Sequence, residues 1–250
     1  MQGKKDVLLL ATYGMEIVEC GGTLAKHVQA GAQVHAAVSL VRPENREQVQ
    51  RAARVLGVVV SFLDFESGEV QADPVSKSKI VRLIRKIRPE VIITQDPEHS
   101  FLDLDPDRRE AMILYLEAIS LAARDWKIVE CGDLQPHLVR SIYFMTPERP
   151  NCVVNIAEVF ALKEQAMVEL TDQLAFTARM FGKTVPASAM PFLLSDYQQI
   201  KDDPIELGRA LHREMDRAFH LYHGLLSHSS FVLAEPFRRS GRFELEYLLL

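Results

Sequence analysis

Two short segments of the chain carry the side chains that could perform acid–base or metal chemistry. The first contains Glu16 and Glu19, and the second contains His99 and three alternating aspartates, Asp103, Asp105 and Asp107. Carboxylates can bind a hard metal ion or exchange a proton with a substrate, and an imidazole can do either. His99 is the only imidazole in the two segments, which makes it the first candidate for a ligand contact.

Structural roles compete with these chemical ones. Glu16 and Glu19 lie near the start of a predicted helix, where carboxylates are stabilised by the helix dipole, so we favour a capping role for them. The aspartates alternate as calcium ligands do, but the glycine and the terminal glutamate of an EF-hand loop are missing. We therefore predict that Asp105 or Asp107 caps the helix that follows.

Three further histidines fall on one predicted helix near the C-terminal end. His220 and His223 are neighbours on a helical surface, and His212 lies two turns earlier. No carboxylate accompanies them at the spacing of a zincin motif. The sequence therefore predicts core or solvated histidines here, and no replacement metal site.

The elements that must position these side chains follow from the hydrophobic pattern. Short apolar runs predict strands at 6–11, 34–41, 58–63, 91–94 and 138–144. Amphipathic stretches predict helices at 23–30, 44–56, 75–87, 109–124, 156–180 and 205–226. This alternation is typical of an α/β, Rossmann-like fold with a mostly parallel sheet flanked by helices. In such sheets ligands bind beyond the carboxyl ends of the strands, which is where both acidic segments fall.

Composition limits the class of protein. The 250 residues, 48% hydrophobic and 25% charged, suit a single domain over 1–250. A formal net charge of −5 argues against nucleic acid as the main partner. Three widely spaced cysteines do not predict a disulfide framework. No apolar run approaches the roughly 20 residues of a membrane span, and 7–11 is too short for a signal peptide, so we expect a cytoplasmic protein without membrane contacts.

The two acidic segments also carry a family resemblance. Residues 11–24 resemble the first motif of the LmbE-like (PIG-L) zinc de-N-acetylases, in which Ala-His-Pro-Asp-Asp is followed by an apolar and acidic stretch and Gly-Gly-Thr-Leu. Residues 99–109 resemble the family's His-Pro-Asp-His motif, of which Pro106 and Asp107 are kept. Further matching segments recur in order at 46–57, 83–94, 155–156, 163–173, 222–224 and 234–237. The resemblance spans nearly the whole chain and implies the LmbE-like deacetylase fold.

The resemblance also implies which chemistry is missing. In the family the first His, the second Asp and the last His bind zinc, and these positions are Thr12, Met15 and Arg108 here. The general base is replaced by Gly14, and the histidine of a third motif by Leu170. A hydroxyl, a thioether and a permanent cation cannot replace two imidazoles and a carboxylate as zinc ligands. We therefore expect no metal, no other cofactor and no hydrolytic centre.

The sequence thus predicts a catalytically degenerate homologue, or pseudoenzyme, that binds a ligand or supports a partner. The alternative is an active de-N-acetylase, a hydrolase of amide bonds in amino-sugar-type substrates, with a rebuilt site. The candidate pocket residues are Thr12, Tyr13, Glu16, His99, Asp103, Asp105, Asp107 and Arg108. Expected partners are an amino-sugar-like small molecule and either further copies of the chain or an active paralogue. Self-association is favoured by the apolar stripe Leu207, Leu211, Met215, Phe219 and Tyr222.

One substitution suggests what replaced the metal. Arg108 introduces a positive charge at a position where the family binds zinc, and a guanidinium can donate two hydrogen bonds to a carboxylate. It could point into the former metal pocket and pair with Glu16, Asp103, Asp105 or Asp107, with Met15 and Leu170 filling the remaining volume. Equally, it could turn to solvent at the start of its helix. The sequence leaves both possibilities open.

Overall fold

The computed structural model describes residues 6–242, which form a seven-stranded sheet flanked by helices. The strands are β1 (Val7–Tyr13), β2 (Val34–Leu40), β3 (Val59–Phe62), β4 (Val91–Gln95), β5 (Ser141–Met145), β6 (Cys152–Asn155) and β7 (Ala234–Arg239). The helices are α1 (Glu16–Glu19), α2 (Gly21–Gln29), α3 (Arg46–Leu56), α4 (Pro74–Ile87), α5 (Pro97–Leu102), α6 (Pro106–Ala122), α7 (Phe160–Val168), α8 (Thr171–Thr184), α9 (Met190–Leu193), α10 (Tyr197–Ile200) and α11 (Pro204–His223). The ends of the predicted domain, 1–5 and 243–250, lie outside the described residues.

The strand order β3-β2-β1-β4-β5-β7-β6 places a topological switch point between β1 and β4. Strands β3, β2, β1, β4 and β5 are parallel, whereas β7 runs antiparallel to both β5 and β6. From β1 the chain winds outward to β3 and then returns to β4 on the other side of β1. The connections that leave β1 and β4 therefore diverge, and the crevice between them is where such folds bind ligands.

The apolar runs of the sequence become strands that are covered on both faces. Leu8 and Leu10 pack into one hydrophobic cluster beneath α4 and α6, while Leu9 and Ala11 pack into the other beneath α2 and α3. All four residues are fully buried. A strand that is buried on both faces has a continuous run of apolar residues in its sequence, and this run predicted β1.

The sequence predicted most elements of the parallel half of the sheet within a few residues of their observed bounds. Strand β1 continues two residues further than predicted and includes Thr12 and Tyr13. Gly57 ends α3 as predicted, with a φ of 74° in the left-handed region. The predicted mixed architecture, with a mostly parallel sheet and flanking helices, is confirmed.

The single helix predicted at 156–180 is wrong. A 3-10 turn at Ala157–Val159 precedes α7, and the chain leaves helical geometry at Leu170, whose ψ is 62°, before α8 begins. The reason is tertiary, because α7 packs against α3 whereas α8 packs against α11. At the second contact Gly208 is essential, since a Cβ there would lie 2.1 Å from the backbone oxygen of Leu174.

Strands β6 and β7 and helix α5 were not predicted from the hydrophobic pattern. Pro236 lies inside β7, and a proline normally argues against a strand inside a sheet. Strand β7 nevertheless pairs with β5 on one side and with β6 on the other. Within residues 6–242, no helix combines the length and the apolar character needed to cross a membrane.

Candidate functional site

The loop after β1 is closed by a carboxylate. Glu16, the first residue of α1, is 1% exposed, and its side chain turns back towards the end of β1. The backbone N–H groups of Thr12 and Tyr13 donate to it at 2.8 and 3.3 Å. Gln95 at the end of β4 also donates to Glu16 and so links the two strands that flank the switch point. Burial, followed by the negative charge of Glu19, raises the pKa of Glu16 to about 8.

Glu16 therefore does not cap the helix that follows, and the predicted capping role is wrong for it. The N-terminus of α2 is instead capped by Glu235 of β7, which accepts from the backbone N–H groups of Gly22 and Thr23 at 2.9 and 2.7 Å. Lys163 of α7 donates to the same carboxylate at 3.0 Å. A Cβ at Gly22 would lie 3.0 Å from the Glu235 carboxylate, so glycine permits this close approach.

Arg108, in the first turn of α6, points into the crevice. Its Nη2 lies 4.0 Å from Oε1 of Glu16, and its Nε lies 3.4 Å from Oδ2 of Asp103. The guanidinium carbon lies 5.5 Å from the centre of the Tyr13 ring. The Nε atom is buried and makes no hydrogen bond, so the contact with Asp103 is an ion pair without hydrogen-bond alignment. We call Tyr13, Glu16, Asp103 and Arg108 the Arg108 cluster.

Aspartates hold this cluster in place. Asp105 caps α6, as predicted, by accepting from the backbone N–H groups of Asp107 and Arg108 at 2.9 and 3.4 Å. Its second oxygen accepts from the Tyr13 hydroxyl at 2.6 Å. Asp107 instead fastens the β3–α4 connection, accepting from the backbone N–H of Gly68 at 2.7 Å. Both carboxylates thus have structural partners.

The histidines do not join the cluster's hydrogen bonds and ion pairs. His99 lies on α5, where its side chain is 39% exposed and its Nδ1 is 3.2 Å from the Glu148 carboxylate. On α11, His212 and His220 are buried in the protein interior, as the sequence predicted for core histidines. Burial lowers the pKa of each to about 4, which keeps both imidazoles neutral at pH 7.

The residues at the family's zinc positions do not fit zinc. Thr12 is fully buried in β1, Met15 packs against the hydrophobic core, and Arg108 brings a permanent positive charge. Among residues 6–242, no three His, Cys, Asp or Glu side chains come together in a way that could hold a metal ion. Three protein ligands with one open position are what catalytic zinc requires, and the described residues do not supply them.

The position of the family's general base is also closed by packing. A Cβ at Gly14 would lie only 2.5 Å from Cγ2 of Val49 on α3. Valine is branched at Cβ and stiff, so it cannot swing its methyl group away as a long side chain would. An aspartate at this position would therefore require α3 or the loop to move.

An open cleft of about 940 Å³ lies beside the cluster, at the carboxyl ends of β1 and β2. Its wall combines charged, amide and aromatic side chains, including Arg42, Arg46, Asp64, Phe65, Gln173, Phe176 and Arg179. Of the predicted pocket residues, only Tyr13 lines this cleft. The structure brings Glu16, Asp103 and Arg108 together outside the lining of the cleft, and leaves His99 on the surface.

The cleft wall also includes residues for which the sequence predicted another role or none. Met15 and Leu170 line the cleft, whereas the sequence predicted that they fill the remaining volume of the former metal pocket. Phe176 and Arg179 were missed as candidates, since the sequence predicted one helix through this region and gave no sign of which face meets the cleft.

No protein-family model matches the chain. In sequence it is similar to diacetylchitobiose deacetylase of Thermococcus kodakarensis, with 32% identity over 127 residues. That match covers 48% of this chain and 46% of the relative, so it spans about half the length of each.

The fold similarity extends over nearly the whole chain. The conserved protein TT1542 of Thermus thermophilus has a TM-score of 0.68 at 22% identity and covers 96% of each chain. The N,N'-diacetylchitobiose deacetylase of Pyrococcus horikoshii has a TM-score of 0.68 at 17% identity, covering 95% of this chain and 84% of the other. The chain resembles the LmbE-like (PIG-L) deacetylases in sequence and in fold.

Similarity to the LmbE-like proteins does not by itself decide the reaction. The 4-carboxy-2-hydroxymuconate hydratase GalB of Pseudomonas putida has a TM-score of 0.66 at 18% identity and covers 98% of this chain and 99% of the other. Proteins named as a hydratase and as a deacetylase thus share this fold, so function must be argued from the residues of the site.

Proposed function

We propose that this LmbE-like chain is a metal-independent, non-hydrolytic protein that binds a small polar ligand in the cleft beside Tyr13. The observation that carries the proposal is the Arg108 guanidinium, which stands at a family zinc position between Glu16 and Asp103 at 4.0 and 3.4 Å. A fixed cation repels a metal ion there. The contact between Val49 and the position of a Cβ at Gly14 supports the same conclusion for the missing base.

The cleft supports binding of an amino-sugar-like ligand. Its volume of about 940 Å³ is at the upper end of the usual range for small-molecule sites. Aromatic side chains such as Phe65 and Phe176 offer apolar faces, and the side chains of Gln173 and Arg179 offer donors. The name of the T. kodakarensis relative suggests an N-acetylated disaccharide as the first compound to test.

The experiment that tests the proposal is metal analysis combined with a deacetylation assay. We expect purified protein to contain well under one zinc per chain and to release no acetate from N,N'-diacetylchitobiose or N-acetylglucosamine, because neither a metal-bound water nor a base is available. The T. kodakarensis deacetylase serves as the positive control. One zinc per chain, together with turnover that a chelator abolishes, would overturn the proposal.

A second candidate is an active deacetylase with a rebuilt site, which the 32% identity to a named deacetylase favours. Such a site would draw on Glu16, His99, Asp103 and Asp105. Glu16 is 1% exposed and Asp105 holds the Tyr13 hydroxyl, so neither carboxylate meets the cleft. Acetate release that survives a chelator and is lost in Glu16→Gln would establish this alternative.

A further inference from the structure

We propose that Arg108 is a built-in cation, which replaces a metal ion as the positive centre that fastens the loop after β1 and the α5–α6 connection to the start of α6. The inference rests on the proposed function, because it requires a chain that works without a metal. Arg108 then has a structural and positioning role in the crevice.

The need for a positive charge comes from Glu16. Its carboxylate is 1% exposed and lies at the switch point, where Thr12, Tyr13 and Gln95 donate to it. Burial raises its pKa to about 8, so the carboxyl ionises only in mildly alkaline solution, where a buried charge without a partner is costly. Within the described part of the chain, Arg108 is the one basic side chain that forms an ion pair with Glu16.

The guanidinium links its own helix to two other segments. Glu16 follows β1, Asp103 follows α5 on the connection from β4, and Arg108 itself lies on α6. The ring of Tyr13 lies 5.5 Å from the guanidinium carbon and is held by its hydroxyl on Asp105, the residue that caps the Arg108 helix. A metal ion joins segments in the same way, through charge and several ligands. Arginine is always protonated in proteins, so its charge depends neither on metal supply nor on a particular pH.

The side chains that pair with Arg108 do not line the cleft. Tyr13 is the one member of the Arg108 cluster on the cleft wall, and its ring lies 5.5 Å from the guanidinium carbon. The charged centre is therefore outside the cleft in which a ligand would bind. Its role is to position the loop after β1.

The test is a double-mutant cycle between Arg108 and Glu16, measured at pH 9, where the Glu16 carboxyl is ionised. We expect Arg108→Gln to lower the melting temperature by about 4 to 10 °C, because it leaves the buried Glu16 carboxylate without a counter-charge. Glu16→Gln removes the charge that needs compensation, so the double variant is expected to melt above Arg108→Gln. Arg108→Lys, which keeps the charge, is expected to recover part of the loss.

A matched control is Arg213→Gln, which removes an ion pair to Glu164 at 3.2 Å from an arginine whose side chain is 64% exposed. Its melting temperature is expected to stay within about 2 °C of the wild type. If Arg108→Gln does not fold, the double variant provides the test, since removal of the Glu16 charge is expected to restore expression and a measurable melting temperature. The inference would be overturned if Arg108→Gln melted at the wild-type temperature. It would also be overturned if the decreases in melting temperature of the two single variants added up in the double variant.

Chelator treatment separates this inference from the proposed function. We expect the wild-type melting temperature to be unchanged by EDTA and by added zinc. If the purified protein contained zinc and EDTA lowered its melting temperature, the proposed function would be wrong. If the protein were free of metal and Arg108→Gln melted at the wild-type temperature, only the role of Arg108 as a built-in cation would be wrong.

Discussion

Single residues decide what the crevice can do, because hydrogen bonds to backbone N–H groups hold its frame. Glu16 closes the loop after β1, and Asp105 caps α6. The residues at the positions that carry the chemistry of the resembled family are Thr12, Gly14 and Arg108. Loop geometry depends on backbone N–H groups and a reaction depends on side chains, so one frame is compatible with different chemistry.

A prediction at the residue scale concerns Phe176 in the cleft. Its side chain is 49% exposed on the cleft wall, so truncation removes an apolar contact with little cost to the core. We expect Phe176→Ala to weaken binding of N,N'-diacetylchitobiose by about 5- to 30-fold, which corresponds to about 1 to 2 kcal/mol. Isothermal titration calorimetry measures this directly.

The control for this prediction is Phe192→Ala. Phe192 lies on α9, is 94% exposed and does not line the cleft, so its truncation should leave the affinity unchanged. Equal weakening by both variants would place the ligand elsewhere or make the effect unspecific. Absence of binding in the wild type would count against this class of ligand.

At the scale of elements, α11 is important because it packs along α8 and also contacts β7. Gly208 allows the close contact with α8, and buried His212 shares a hydrogen bond of 2.9 Å with Thr177 of α8. The same packing breaks the single helix that the sequence predicted. Helix propensity and periodicity describe one helix at a time, so they cannot register a change of partner between α7 and α8.

A pH prediction belongs to this helix pair. Burial lowers the pKa of His212 to about 4, so the folded state resists its protonation. The neutral side chain gives full stability above its unfolded pKa of about 6.5, and this contribution is lost as the pH falls from 6.5 towards 4. Relative to His212→Gln, the wild type should lose about 3 kcal/mol of unfolding free energy over that window.

Denaturant unfolding of both proteins between pH 4 and 8 measures that difference, and the titrations that they share cancel. His228→Asn, at an exposed turn, is the control and should run parallel to the wild type at every pH. Parallel curves for the wild type and His212→Gln would show that His212 does not resist protonation.

At the scale of the whole molecule, the exposed surface near the end of α11 bears on assembly. Leu207 and Leu211 of the predicted apolar stripe are buried in the cluster with α8, whereas Tyr222 remains 63% exposed, and Leu226, in the turn after α11, is 62% exposed. The stripe thus covers the protein's own core over most of its length. Only its C-terminal end is open to a partner.

We predict that the chain self-associates through this end of α11. Light scattering at micromolar concentration should give a mass above the 28.3 kDa of one chain. The double variant Tyr222→Ser and Leu226→Ser should reduce that mass, because buried apolar area drives association. Leu104→Ser, at a 93% exposed leucine elsewhere, is the control. A wild-type mass of one chain would contradict the prediction.

The sequence by itself determined the parallel half of the sheet and the chemical limits of the site. Strands buried on both faces require continuous apolar runs, and β1, β2 and β4 show them. The absence of zinc ligands at Thr12, Met15 and Arg108 is also a property of residue type, since no fold turns a guanidinium into a metal ligand. Local pattern was sufficient for both conclusions.

Tertiary structure decided which side chains meet. Glu235, and not the neighbouring Glu16, caps α2 from 213 residues away, and Arg108 lies beside Glu16 and Asp103. Only the packing of α6, α7 and β7 around the switch point sets these distances. Sequence periodicity reports which face of an element is buried, and it carries no information about which distant element covers that face.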